Sequence, residues 1–97
     1  MRDGNARRED RHVIPSVLEV EAEAAERGLA GVRADLPLVE LRADHLRAAE
    51  VAGLVKRAGR PLIVAARRSA DGGRFSGSEE ERRGLLRAIL TISLNIR

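Results

Sequence analysis

The sequence predicts an α/β protein: parallel βα units forming a partial (β/α)8 TIM barrel, about its first three units. Three observations predict this. Short apolar segments alternate with amphipathic helical stretches, the pattern of consecutive βα units. The run Leu62-Ile63-Val64-Ala65-Ala66 after Pro61 is continuously apolar, as in a parallel strand buried on both faces. The repeat length matches the roughly 30 residues per unit of a barrel of about 250 residues.

Residues 1–11 read as a disordered N-terminal tail. They are Arg-rich, but Asp3, Glu9 and Asp10 interrupt the basic run, and no apolar core follows. Neither a transit peptide nor a secretory signal fits that pattern. Residues 12–90 hold the βα units. Val13-Ile14-Pro15 reads as a first strand. Ser16-Val17-Leu18-Glu19 then reads as a capping box, in which the Ser hydroxyl accepts a helical amide and the Glu reaches back. Val17, Leu18, Ala22, Ala25 and Leu29 form an apolar stripe at helical spacing, with Gly28 and Gly31 as candidate stops.

Leu36 to Arg42 reads as the second strand. Alternation puts Val39 and Leu41 on one face, Glu40 and Arg42 on the other. Leu46 to Ala58 is the second helix, ended by Gly59. Pro61 to Ala66 is the third strand, and Asp71 to Gly77 is a glycine-rich loop. Ser78-Glu79-Glu80-Glu81 opens the third helix with acids at the positive end of its dipole, and Leu85, Leu86, Ile89 and Leu90 form its buried stripe. Residues 91–97 are an atypical C-terminal tail. Thr91-Ile92-Ser93-Leu94-Asn95-Ile96-Arg97 lacks the Ala and Gly of the preceding chain and reads either as a strand or as sequence foreign to it.

Composition narrows the function classes. At 97 residues the chain is one domain at most. With one Phe and no Trp or Tyr its core is thin, because burial energy scales with apolar area. Of the 18 basic residues only Lys56 is a lysine, and the acids reduce the net charge to +3. Basic residues scattered among acids, with almost no aromatic rings to stack on bases, argue against nucleic acid as a partner. Absence of Cys excludes disulfides and thiolate metal sites, and His12 and His45 alone do not make a metal-site pattern. No apolar run approaches the roughly 20 residues that span a bilayer. The expectation is a cytoplasmic chain without membrane contact or a metal site.

Two constellations carry chemistry. Glu40 and Arg42, on one face of a barrel strand, would point into the lumen. Arg42 offers a planar fork of donors for a carboxylate. Glu40 can hold that arginine or accept a proton from a polyol hydroxyl. Equally, the pair can be the wet face of an ordinary amphipathic strand. Arg67 directly follows the third strand, at the strand tip where barrels bind substrate groups, although arginines also end ordinary strands. Asp71-Gly72-Gly73 suits a turn and lacks the spacing of a phosphate loop.

Together these segments resemble a known family. Val39-Glu40-Leu41-Arg42-Ala43-Asp44 resembles the second-strand motif of the type I 3-dehydroquinate dehydratases, glutamate-x-arginine-x-aspartate. Ile63-Val64-Ala65-Ala66-Arg67 through Gly72-Gly73 resembles their third-strand motif, an arginine four residues before an acid and two glycines. Glu79-Glu80-Glu81-Arg82 and Leu85-Leu86 resemble the following helix, and Val13-Ile14-Pro15-Ser16 more faintly the first strand and its serine. The resemblance implies a lyase of the shikimate pathway, which makes aromatic amino acids. It would dehydrate 3-dehydroquinate to 3-dehydroshikimate through a lysine Schiff base, with a histidine moving protons and no separate cofactor. It implies substrate contacts from Glu40, Arg42, Arg67 and Ser16. Asp71 falls where the family carries a glutamate supporting the catalytic histidine, one methylene longer. The family's lysine, histidine and late-strand arginine belong to strands beyond this sequence. The expectation is a truncated N-terminal fragment with part of the substrate site and no covalent chemistry of its own.

A rival of another class is a small noncatalytic α/β interaction module. Open strand edges invite pairing. The partner would then be a second copy of the chain, or a fragment complementing the barrel.

Overall fold

Apolar residues at every second position set the two faces of the sheet. The computed structural model describes residues 14–95. Three parallel strands, β1 (Ser16–Leu18), β2 (Val39–Arg42) and β3 (Leu62–Ala65), form one sheet in the order β1-β2-β3. Helices α1 (Ala22–Ala30), α2 (Ala48–Arg57) and α3 (Glu79–Asn95) alternate with them. This alternation of parallel strands and helices is the arrangement of a partial (β/α)8 barrel.

Register aligns Val17, Leu41 and Val64 across the sheet, and one step away Ser16, Glu40 and Ile63. The first row, with Val39, Ala25, Leu29, Val51, Leu54 and Ile89, forms the core beneath the helices. Helix α2 lies between α1 and α3 and packs against both. The second row lies on the opposite, open face, where Ile63 is 40% exposed.

That one-sided packing corrects an expectation. β3 is not buried on both faces: its residues are half-buried or exposed, because among the described residues helices cover only one side. A trough of about 310 Å³ runs beside this strand, lined by Val55, Leu62, Val64, Leu86, Ile89 and Leu90.

The chain's first βα unit also differs. The first strand is Ser16–Leu18, not Val13-Ile14-Pro15. Val13 falls outside the described residues, and Pro15, which has no amide to donate, accepts the Glu40 amide through its carbonyl at 2.9 Å. Ser16 to Glu19 is therefore no capping box. The Ser16 hydroxyl bonds to another strand, and α1 starts after Glu21 with no side-chain cap. Val17 and Leu18 leave the helical stripe, while Ala25 and Leu29 remain buried in it.

At the other end, the strand reading of the C-terminal tail is overturned. Thr91 to Asn95 continue α3, with the Thr91 hydroxyl donating to the Arg87 carbonyl one turn back at 2.9 Å. A β-branched run stays helical here because it extends a helix already anchored by buried Ile89. The expected disordered tail at 1–11 and the last two residues lie outside the described residues.

The two sheet faces should respond differently to truncation. Leu41 is fully buried, so Leu41→Ala should cost about 2–5 kcal/mol in urea unfolding. Ile63→Ala, on the open face, should cost less than about 1 kcal/mol. Similar losses for both would mean the open face is covered in solution.

Candidate functional site

Parallel strands bring their C-terminal ends to one edge, and the charged residues of the open face collect there. Register places Ser16 beside Glu40, and the Ser16 hydroxyl donates to Glu40 Oε1 at 2.6 Å. Arg42 lies one pleat nearer the tip, opposite Leu18 and Ala65. Its guanidinium grips Asp44 with both prongs: Nε donates to Oδ1 at 3.1 Å and Nη2 to Oδ2.

Asp44 is the only buried polar or charged residue among those described, and its side chain is wholly inaccessible. It also accepts the backbone amide of Arg67 at 3.2 Å on Oδ1 and that of Arg74 at 2.9 Å on Oδ2. Burial alone would push this carboxyl up. The bond from Arg42, the two amides and the arginine's charge outweigh burial and hold it below its ordinary value.

The segment after β3 folds back on Arg67. Ser69–Asp71 make a single 3₁₀ turn, and Gly72 follows at φ 89°, a left-handed conformation that side chains disfavour. Gly73 then crosses so close to Arg67 that a Cβ on it would strike the Arg67 carbonyl. The Phe75 amide donates to that same carbonyl at 2.9 Å. A tight glycine pair is thus what lets the loop put the Arg74 amide on Asp44.

Helix α3 closes the site. Ser78 and Glu81 form its capping box, the Ser78 amide donating to Glu81 at 2.7 Å and the Glu81 amide to the Ser78 hydroxyl at 3.1 Å. In the first turn Glu79 accepts from both prongs of Arg82 at 2.8 Å and from Arg83 at 2.9 Å. Those bonds, Arg82 first, pull the Glu79 carboxyl down from 4.5 to about 2. The remaining nitrogen of Arg82 reaches the Ala66 carbonyl at 3.2 Å and ties the helix to the end of β3.

Between these groups lies a cleft of about 340 Å³ lined by Arg42, Arg67, Arg68, Asp71, Glu79 and Arg82, with Ala65 and Ala66 as its floor. Three of its four arginines are paired: Arg42 with Asp44, Arg82 with Glu79, and Arg68 with Asp71 at 3.0 Å and Glu79 at 3.7 Å. Among the described residues the Arg67 guanidinium has no acidic partner.

Of the residues singled out from sequence, Arg42, Arg67 and Asp71 meet in this cleft. Ser16 and Glu40 bond to each other a pleat behind Arg42 and do not line it. Lys56 is in the last turn of α2, which leads to the start of β3 and so to the opposite edge of the sheet. His45 is exposed in the connection from β2 to α2. Among the described residues no cluster of three acids or histidines could hold a metal, and no helix is long and apolar enough to cross a membrane.

Sequence reasoning missed three roles. Asp44 was read only as a motif letter, although its spacing from Arg42 puts both on one face of an extended segment. Glu79 was read as a dipole acid, not as the partner of Arg82. Gly73 was read as turn chemistry, whereas its close approach to Arg67 is visible only in three dimensions.

A stack of parallel βα units with charged groups converging at the C-terminal strand ends defines a barrel-type α/β protein with its site on that edge. A family model described as type I 3-dehydroquinase matches residues 13–95, and the chain belongs to this family. It is 38% identical over 81 residues to a 3-dehydroquinate dehydratase of Methanosarcina mazei, covering 82% of this chain and 33% of that protein. The chain thus spans about a third of the length of the curated relative it matches.

Two outcomes follow from the site's geometry. Because the Glu79 carboxyl is lowered, its stabilising effect is complete above about pH 4.5 and is lost as pH falls towards about 2. Carboxyl carbon shifts should show Glu79 titrating near the bottom of that window and Arg82→Ala raising its midpoint. Titration at the ordinary value would contradict the Glu79–Arg82 ion pair. Gly73→Ala should free the Phe75 amide from Arg67, seen as faster hydrogen exchange at Phe75. Unchanged exchange would show that the loop accommodates a side chain.

Proposed function

We propose that these residues supply the substrate-binding part of a type I 3-dehydroquinate dehydratase site, acting on 3-dehydroquinate in the shikimate pathway. The observation that carries this reading is the unneutralised Arg67 guanidinium facing the same cleft as Arg42. An arginine there can take the substrate carboxylate as a bidentate, charge-assisted pair. Arg42, already fixed by Asp44, presents its outer edge to hydroxyl oxygens. Glu40, held by Ser16, is placed to accept a hydroxyl proton farther along the open face. Asp71 stands at the position of the family's supporting acid and is occupied by Arg68, so it holds the lip of the cleft.

The covalent step of the family needs a lysine to form an imine with the ketone and a histidine to move protons. Lys56, at the wrong edge of the sheet, and exposed His45 do not fit those roles. In this reading the chain supplies the first βα units of the enzyme, whose lysine and histidine come from further barrel units, with no separate cofactor and a cytoplasmic setting. The open edge of β3 and the apolar trough beside it support a further βα unit packing there. The same trough favours the second reading, a noncatalytic module that pairs with a second copy or another chain.

Borohydride trapping tests the division of labour. The chain incubated with 3-dehydroquinate and then reduced should show no turnover and no adduct on Lys56. An adduct there would overturn the assignment. Joined to the remaining barrel units of a relative, Arg67→Ala should lose about 1.5–3 kcal/mol of transition-state binding, roughly ten- to a hundred-fold in kcat/KM. Arg68→Ala, whose guanidinium is already held by Asp71 and Glu79, should lose much less. Equal losses would mean that Arg67 is a surface arginine and not a ligand contact.

A further inference from the structure

Two strands and a loop must agree in position for Arg42 and Arg67 to face one cleft, and what joins these arginines is a third residue. Asp44 touches both. It is wholly buried, so it cannot itself meet a ligand in the cleft. Each carboxylate oxygen takes one donor from Arg42 and one backbone amide, Oδ1 that of Arg67 and Oδ2 that of Arg74. The four donors come from three places: the end of β2, the second residue after β3, and the far limb of the loop that folds over Arg67.

We propose that Asp44 is the positioning residue of this site, its one buried carboxylate fixing the Arg42 guanidinium and the main chain at Arg67 as a single unit. The inference rests on the reading of Arg42 and Arg67 as substrate contacts. It adds that neither works independently of the other.

The chemistry of the acceptor explains why an aspartate is needed. A carboxylate is acceptor-only and offers about four lone-pair sites, and here four donors fill them. An amide of the same shape would turn one of its two ends into a donor facing two donors. A glutamate would carry the charge a methylene too far for the two amides, which are fixed by the main chain. The neighbouring connection is short as well, since the Ala43 amide is bonded to the Ala65 carbonyl at 2.7 Å. The carboxylate therefore sits on a rigid stem between β2 and β3, with little freedom to follow a displaced partner.

The test uses the whole chain labelled with ¹⁵N. In the wild type, rotation of the Arg42 guanidinium should be slow, and the Arg67 and Arg74 amides should exchange slowly, even though Arg74 lies in an exposed loop. In Asp44→Asn all three should loosen together, each amide exchanging at least about ten-fold faster. The Ala43 amide reports whether the sheet is intact and should keep its protection. If Asp44→Asn does not fold, the wild-type measurement decides alone: fast exchange at Arg67 or Arg74, or free rotation of Arg42, overturns the proposal.

Millimolar 3-dehydroquinate added to the same samples separates positioning from mere scaffolding. Asp44→Asn should weaken binding about ten-fold, and Arg42→Ala added to it should weaken binding little further, because the two act through one guanidinium. Additive losses would overturn the proposal. If the wild-type chain shows no binding, the substrate-site reading fails, while exchange and guanidinium rotation still decide the role of Asp44.

Discussion

A buried carboxylate that serves two strands is the constraint on which the rest of the site depends. Asp44 takes a full charge into the interior, where an unpaired charge costs several kcal/mol. Only complete satisfaction makes that tolerable, and the chain supplies it from Arg42, Arg67 and Arg74. The requirement propagates. The Arg74 amide arrives only if the loop turns sharply at Gly72 and crosses Arg67 at Gly73. The loop turns back only if α3 starts where Ser78 caps it, and α3 is held to β3 by Arg82 on the Ala66 carbonyl. Cleft shape and charge balance follow from one acid.

Electrostatics then single out one group. Asp44 and Glu79 both lie below their ordinary values, each because arginines hold the ionised form. Their partners are thereby neutralised in place. What remains for a ligand in the cleft is Arg67, aligned through its main chain and uncommitted through its side chain among the described residues. A barrel edge that presents one available cation beside fixed donors is suited to a small polyhydroxylated carboxylate.

Much of the fold was legible because two periods differ so plainly. Alternation in Val39-Glu40-Leu41-Arg42 placed both charged groups on one face, and the structure has them there. The helices from Ala48 and Glu79 begin within a few residues of where the apolar pattern and the first-turn acids put them. The first strand was misplaced because Ser-x-x-Glu is a local signal, while β1 exists only through nonlocal pairing with β2. The run in β3 looked doubly buried because composition reports what a strand is suited to, not what covers it. The C-terminal Thr-Ile-Ser-Leu stretch has strand-like propensity, and helix continuity from Ile89 overrides it. For the site, the strand-tip arginines were visible as sequence. The bond from Asp44 to a loop amide 30 residues away was not, since no spacing rule encodes it.

The most direct test of the account is a crystal structure of the chain with 3-dehydroquinate. The predicted result is the substrate carboxylate paired with Arg67, with Asp44 unmoved beneath and ring hydroxyls directed towards Arg42 and Glu40. Ligand bound elsewhere, such as between α1 and α2 near Glu26 and Arg57, or an Arg67 paired with protein acid in the complex, would contradict it.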